Sequence, residues 1–185
     1  MATLTQALAA GDPEAFAAVY DRFAARLFAV ATTMTGSATE AEDIVHDLFV
    51  DLATHRQRFA RVTDLDAYLF TALRHAVSRQ WRRRSIHRKV VERMQRDHSR
   101  EATYTDQPPP DEALAAAVAA LPAAQREVLA LKIDGGLTFA EIAGVTNTRP
   151  NTAASRYRYA LAQLRRLLTR KQKPHCHHAK TDVPQ

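Results

Sequence analysis

Apolar residues in this chain recur at steps of three and four over most of its length, and glycine or proline closes each run. That spacing gathers large side chains onto one face of a 3.6-residue helix but scatters them over both faces of a strand, so the chain is held to all-helical folds. Phe16, Val19, Tyr20, Phe23, Leu27, Val30 and Met34 form one stripe; Ile44, Val45, Leu48, Phe49 and Leu52 a second; Tyr68, Leu69, Leu73, Val77 and Trp81 a third. Abundant Ala, Leu and Arg agree with this, since they lose little side-chain freedom in a helix.

Local signals mark where these helices begin and end. Asp12-Pro13-Glu14 supplies an N-cap, a proline at the first helical position and an acid in the first turn. That helix should end near Thr35-Gly36. Ser37 and Glu40 then read as a capping box for the second helix, and Thr63 or Asp64 caps a third after a loop from Arg56 to Asp64. Three amphipathic helices on short loops bury one another's stripes, so residues 10–97 read as a helical bundle. Residues 98–110 end in three prolines and show no apolar period, the mark of a tether. Residues 111–170 form a second helical domain, expected to have a core of its own. Leu114, Val118 and Leu121 mark one helix there, and Pro122 starts another carrying Val128, Leu129 and Leu131. Asp134-Gly135-Gly136 breaks that helix. Residues 171–185 are polar and basic and read as a disordered tail.

Charge is segregated along this plan. Residues 1–60 hold 4 basic and 8 acidic groups, 61–100 hold 11 and 4, 101–148 hold 2 and 7, and 149–185 hold 9 and 1. Two basic blocks point to two contacts with a polyanion, and the acidic blocks call for a cationic partner elsewhere. No run of about 18 uncharged apolar residues exists to span a membrane, and Met1 to Ala10 lacks the pattern of a signal peptide. Cys176 is the single cysteine, which fits a reducing cytoplasm. His175, Cys176, His177 and His178 are adjacent soft ligands, but consecutive residues seldom complete a tetrahedral site, so no metal is expected. No phosphate loop, nucleophile motif or acid pair is present. Neither catalysis nor a cofactor is therefore expected.

The most specific pattern lies in the second domain. Thr138 and Glu141 form a capping box for a short helix, Phe139 to Ala143; Gly144-Val145-Thr146-Asn147 reads as a tight turn; Pro150 opens a basic last helix. Its buried stripe reads Ala153, Tyr157, Leu161, Leu164 and Leu168. This is the order of a helix-turn-helix, whose second helix enters the major groove. Arg149, Asn151, Thr152, Ser155, Arg156 and Arg158 lie off that stripe and offer forked cations, an amide and hydroxyls to base edges and phosphates. An ordinary helical hairpin with a wet basic face would not need capping, turn and charge to agree.

These residues carry a resemblance. Ala117-Leu121-Pro122, Gln125-Arg126-Glu127-Val128-Leu129, Leu137 to Ala143, and Thr152 with Ser155-Arg156 resemble region 4 of the bacterial extracytoplasmic-function sigma factors. Asp12 to Phe16, Ala41 to Val45 with Asp47 and Phe49, and Arg82-Arg83-Arg84 resemble region 2, in the family's order. The resemblance implies a subunit that docks on core RNA polymerase and directs it to promoter DNA, and an anti-sigma factor as a further partner. It carries the polymerase-binding surface to Asp43, His46 and Asp47, with His46 standing where the family commonly has Gln. It carries the minus-ten and melting surface to the loop near Arg61 to Asp66 and to His75, Arg79, Arg82, Arg83 and Arg84. The family commonly has Asn and Asp at the positions of His75 and Arg79. In the recognition helix, Ala153-Ala154 and Tyr159 likewise replace residues usual in the family. Trp81 extends the apolar stripe and reads as core rather than as a base-stacking platform. Two other functions fit a helix-turn-helix chain: a dimeric operator-binding regulator, and a sigma-like interaction protein without promoter activity. A sensor bundle, however, has no use for the basic block at 79–96.

Overall fold

The computed structural model describes residues 3–94 and 110–171, with side chains for 3–83 and 112–169. Every element among them is helical: α1 (Leu4–Ala10), α2 (Pro13–Thr35), α3 (Ala38–Thr54), a 3-10 helix (Arg56–Arg61), α4 (Leu65–Met94), α5 (Pro110–Ala119), α6 (Ala123–Ile133), α7 (Phe139–Thr146) and α8 (Pro150–Lys171). The expected tether over 98–109 and the tail with its His175–His178 cluster lie outside the described residues.

The caps act as their chemistry dictates. Asp12 accepts from the Glu14 amide at 3.0 Å, Ser37 from the Glu40 amide at 3.3 Å, and Asp64 from the Ala67 amide at 3.0 Å. Each satisfies a donor that the first helical turn leaves without a partner. Helix α1 escapes the reading from periodicity because seven residues contribute a single fully buried side chain, Leu8. Its signal is local instead: Thr3 and Gln6 make a reciprocal capping box, and Gly11 closes the helix at φ 86°. The expected loop after α3 holds the 3-10 helix, whose Phe59 is buried edge-on between Phe16 and Tyr68.

Two further expectations change. The short helix does not stop at Ala143 but runs to Thr146, because Val145 and Thr146 are both buried and so prolong its inner face. The turn falls instead at Asn147, which takes the left-handed conformation at φ 52°. Tyr20, Leu114 and Leu161, assigned to buried stripes from spacing alone, are exposed.

The larger correction concerns the core. One buried cluster runs from Leu8 through Phe23, Leu27, Phe70 and Val77 into Val128, Leu131, Leu137, Ile142 and Val145, so it crosses from the first domain into the second. A smaller cluster of Ala117, Leu121, Leu129, Ala160 and Leu164 belongs to the second domain alone. Helix α6 explains the join. Val128, Leu129, Ala130 and Leu131 are consecutive and all buried, so its apolar surface wraps round the helix. A helix apolar on more than one side must be covered on more than one side; α2 covers one and α8 another. Gly135 seals the corner between α6 and α7. A Cβ there would stand 2.6 Å from the Leu131 carbonyl oxygen and 2.9 Å from the Leu137 side chain.

Candidate nucleic-acid interface

The second element of the helix-turn-helix is held by contacts behind it. Ala153 and Ala160 of α8 are fully buried, and Tyr157 packs on Phe139 of α7 with ring centroids 5.7 Å apart. At the turn, the Arg149 carbonyl accepts from the Thr152 and Ala153 amides at 2.9 and 3.1 Å, which sets the start of α8. Thr146 donates to the Ile142 carbonyl at 2.7 Å. The six residues named from the sequence therefore gather on the outer side of the first three turns of α8. Arg149, Asn151 and Arg158 are exposed, while Thr152, Ser155 and Arg156 are half-buried. Arg158 donates to the Ser155 hydroxyl at 3.2 Å. A helix N-terminus with free amides and flanking guanidinium groups has the chemistry to hold phosphate.

The box on α7 supports this arrangement. Glu141 accepts from the Thr138 amide and hydroxyl, both at 2.7 Å, and those bonds, backbone first, hold its carboxyl below the usual range. A depressed carboxylate stabilises the fold fully above its unfolded pKa, and that contribution is lost as pH falls through the folded value. Thr138→Ala should cost about 1 kcal/mol of stability at neutral pH. Stability curves of the variant and the parent should converge on acidification. Thermal unfolding from neutral pH down to pH 3 reads this, and a gap that persists at the acid end would contradict it.

In the first domain, α3 and α4 enclose a cleft of about 570 Å³. His75, Arg79 and Arg83 of α4 line one wall, and Asp47 and Asp51 of α3 the other. Asp51 is paired with His55 at 2.9 Å and with Arg58 at 3.6 Å. His75, Arg79, Arg82 and Arg83 are exposed; Arg84 lies on α4 with its side chain outside the description. Asp43, His46 and Asp47 are exposed on α3, but they do not share one concavity. Asp47 faces the cleft with His75, whereas His46 lines a second groove, of about 480 Å³, against α2.

Residues in that second groove were missed from the sequence. Tyr20 is 54% exposed and Phe28 38%, and Tyr20 stacks on half-buried Phe49 at 4.9 Å. The signal was the width of the α2 stripe: Tyr20, Ala24 and Phe28 form a second row beside the one that fills the core. Trp81 is half-buried against the core, as its spacing implied, and the Arg126 guanidinium lies over its ring at 5.5 Å. Burial pushes Arg126 below its ordinary value.

Among the described residues no cluster of three metal-ligating side chains occurs, and no helix is long and apolar enough to cross a membrane. The model of Sigma-70 region 2 matches residues 19–86, and that of Sigma-70, region 4 matches residues 111–164. The ECF RNA polymerase sigma factor EcfG of Rhodopseudomonas palustris is 31% identical over 147 residues, which cover 77% of this chain and 78% of EcfG. The ECF RNA polymerase sigma factor SigL of Mycobacterium tuberculosis is 31% identical over 166 residues, covering 85% and 90%. Among solved structures, the sigma factor RpoE in complex with the anti-sigma factor NepR, from Bartonella quintana, superposes with a TM-score of 0.62 at 27% identity, over 77% of this chain and 89% of that one. CnrH in complex with the cytosolic domain of CnrY shares the fold, with a TM-score of 0.66 at 22% identity over 90% and 96%.

Proposed function

The chain belongs to the extracytoplasmic-function branch of the sigma-70 family of RNA polymerase sigma factors, and from that premise we propose how its surfaces divide the work of initiation. As an alternative sigma factor it directs core polymerase to promoters. In our reading residues 10–97 form region 2, 98–110 a linker and 111–170 region 4. Arg149, Asn151, Thr152, Ser155, Arg156 and Arg158 read the minus-thirty-five duplex. His75, Arg79, Arg82, Arg83 and Arg84 hold the melted minus-ten strand, and Asp43, His46 and Asp47 meet polymerase. The protein performs no chemistry itself and works in the cytoplasm with the polymerase it serves. The NepR complex of the similar RpoE supports an anti-sigma partner here too.

One observation supports the division above the others: both cationic surfaces stand clear of the shared core. The exposed α4 side chains face the cleft or solvent, and Arg149, Asn151 and Arg158 face solvent at the start of α8. Run-off transcription with core polymerase over a genomic promoter library tests the reading. Discrete starts with shared upstream elements are expected, and no transcripts above core alone would sink it.

The two surfaces should respond differently to mutation. Arg156→Ala should weaken binding of a minus-thirty-five duplex by about 1–3 kcal/mol and relax preference at one base pair, as loss of a bidentate base contact does. Equal losses on every sequence would make Arg156 a phosphate contact instead. Arg82→Ala with Arg83→Ala should slow promoter melting and flatten its salt dependence by a slope of roughly one per lost phosphate contact. Permanganate footprinting reads the melting. Wild-type melting by that variant would move the surface elsewhere on region 2.

A further inference from the structure

We propose that the contact between the two domains is a latch: the Arg74–Glu127 ion pair holds the free protein in a closed form that cannot read a bipartite promoter, and binding to core polymerase releases it. The inference rests on the sigma-factor reading. Arg74 of α4 and Glu127 of α6 meet through Nε and Oε1 at 2.7 Å, and the Glu127 side chain is only 13% exposed. A carboxylate so sheltered has lost most of its hydration, and the guanidinium is what replaces it. The pair therefore fixes where α6 sits on α4, whereas apolar contact alone would allow sliding. Three other contacts cross the same boundary. Arg26 of α2 donates to the Gly135 carbonyl while also pairing with Asp66 at 3.1 Å. Thr33 donates to Asp134 at 2.7 Å, and Arg126 covers Trp81.

Size shows why this closed form must open. A compact body of about 150 residues has a radius of gyration near 15 Å, hence is roughly 40 Å across. Elements centred at minus thirty-five and minus ten lie about 25 base pairs apart, or roughly 85 Å at 3.4 Å per pair. The closed protein can therefore engage one element but not both. Separation uncovers Leu131, Leu137 and Trp81, so the open form is populated only with a partner that binds it better than the closed one. Either element alone binds the closed form without supplying that difference. Core polymerase, which must hold both domains at promoter spacing, does supply it.

Trp81 is the only tryptophan and reports the state of the latch directly. Acrylamide quenching of the full chain, with small-angle scattering beside it, measures closure in the absence of polymerase. Glu127→Lys should raise the quenching constant several-fold and enlarge the radius of gyration, and the exchanged pair Arg74→Glu with Glu127→Arg should restore both. If Glu127→Lys loses helicity by circular dichroism, Arg74→Gln is read in its place. With 5-fluorotryptophan in the sigma chain, unlabelled core polymerase should move the wild-type fluorine resonance to the position the opened variant already shows. Wild-type quenching and radius in the opened variant would overturn the latch, as would a resonance that core leaves unmoved. Run-off transcription in the same samples separates the two levels of the argument. Transcription with no resonance shift removes the latch and keeps the sigma-factor reading, whereas no transcription removes the reading.

Discussion

Asp43→Ala with Asp47→Ala is expected to lower affinity for core RNA polymerase by about thirty-fold or more, the consequence of losing about 2–5 kcal/mol when a charge-assisted contact is stripped from an interface. Both carboxylates lie on the wet side of α3, away from Ile44, Val45 and Leu48, which fill the core behind them. Removing them leaves the fold intact, so circular dichroism should be unchanged while native pull-down of core enzyme fails. The single variants divide the effect. Asp47 lines the α3–α4 cleft and Asp43 does not. Asp43→Ala should therefore act on core binding, and Asp47→Ala on promoter melting as well. Full retention of core by the double variant would remove this face of α3 from the polymerase interface. Attention would then pass to the aromatic groove of Tyr20, Phe28 and Phe49 beside it.

Leu131→Ala should be the most damaging single truncation in region 4. Leu131 is 1% exposed within the cluster that crosses into region 2. Its loss removes transfer energy and leaves a cavity between helices that cannot close on it, at a cost of about 2–5 kcal/mol. For a chain of this size that lowers Tm by roughly 5–15 °C. Because the core is shared, both domains should melt in one transition, at a lower temperature than the parent. Differential scanning calorimetry checks this. Two separated transitions in the parent protein would show that each domain holds its own core.

Features set by neighbours in sequence were legible before the structure. The Asp12 and Ser37 caps, the Thr138–Glu141 box and the basic first turns of α8 all follow from residues within four positions of one another. Features set by a neighbour far along the chain were not. Nothing local to Arg74 or to Glu127 says that they meet 53 residues apart. The four consecutive buried residues of α6 could have warned that this helix needs two coverings, because a two-domain reading leaves one of its sides bare. Gly144 was taken for a turn because glycine commonly makes one. Burial of Val145 and Thr146 overrode that preference and moved the turn to Asn147. The candidate site was legible as three lists of residues. That Asp47 and His75 share a cleft depends on how α3 and α4 cross, which no stretch of sequence encodes by itself.

That cleft has a sign on each side. Arg79 and Arg83 stand along α4, Asp47 and Asp51 along α3, and Arg58 offsets part of the negative side through Asp51. An electric field therefore runs across the opening from one helix to the other, in a concavity where water screens it less than on open surface. A phosphate is drawn to the α4 side by its charge. A nucleobase carries no net charge, but it has a dipole, and a transverse field exerts a torque on a dipole before any hydrogen bond forms. The cleft thus orients an arriving base as well as attracting its strand: sugar-phosphate toward α4, amino-bearing edge toward the carboxylates of α3.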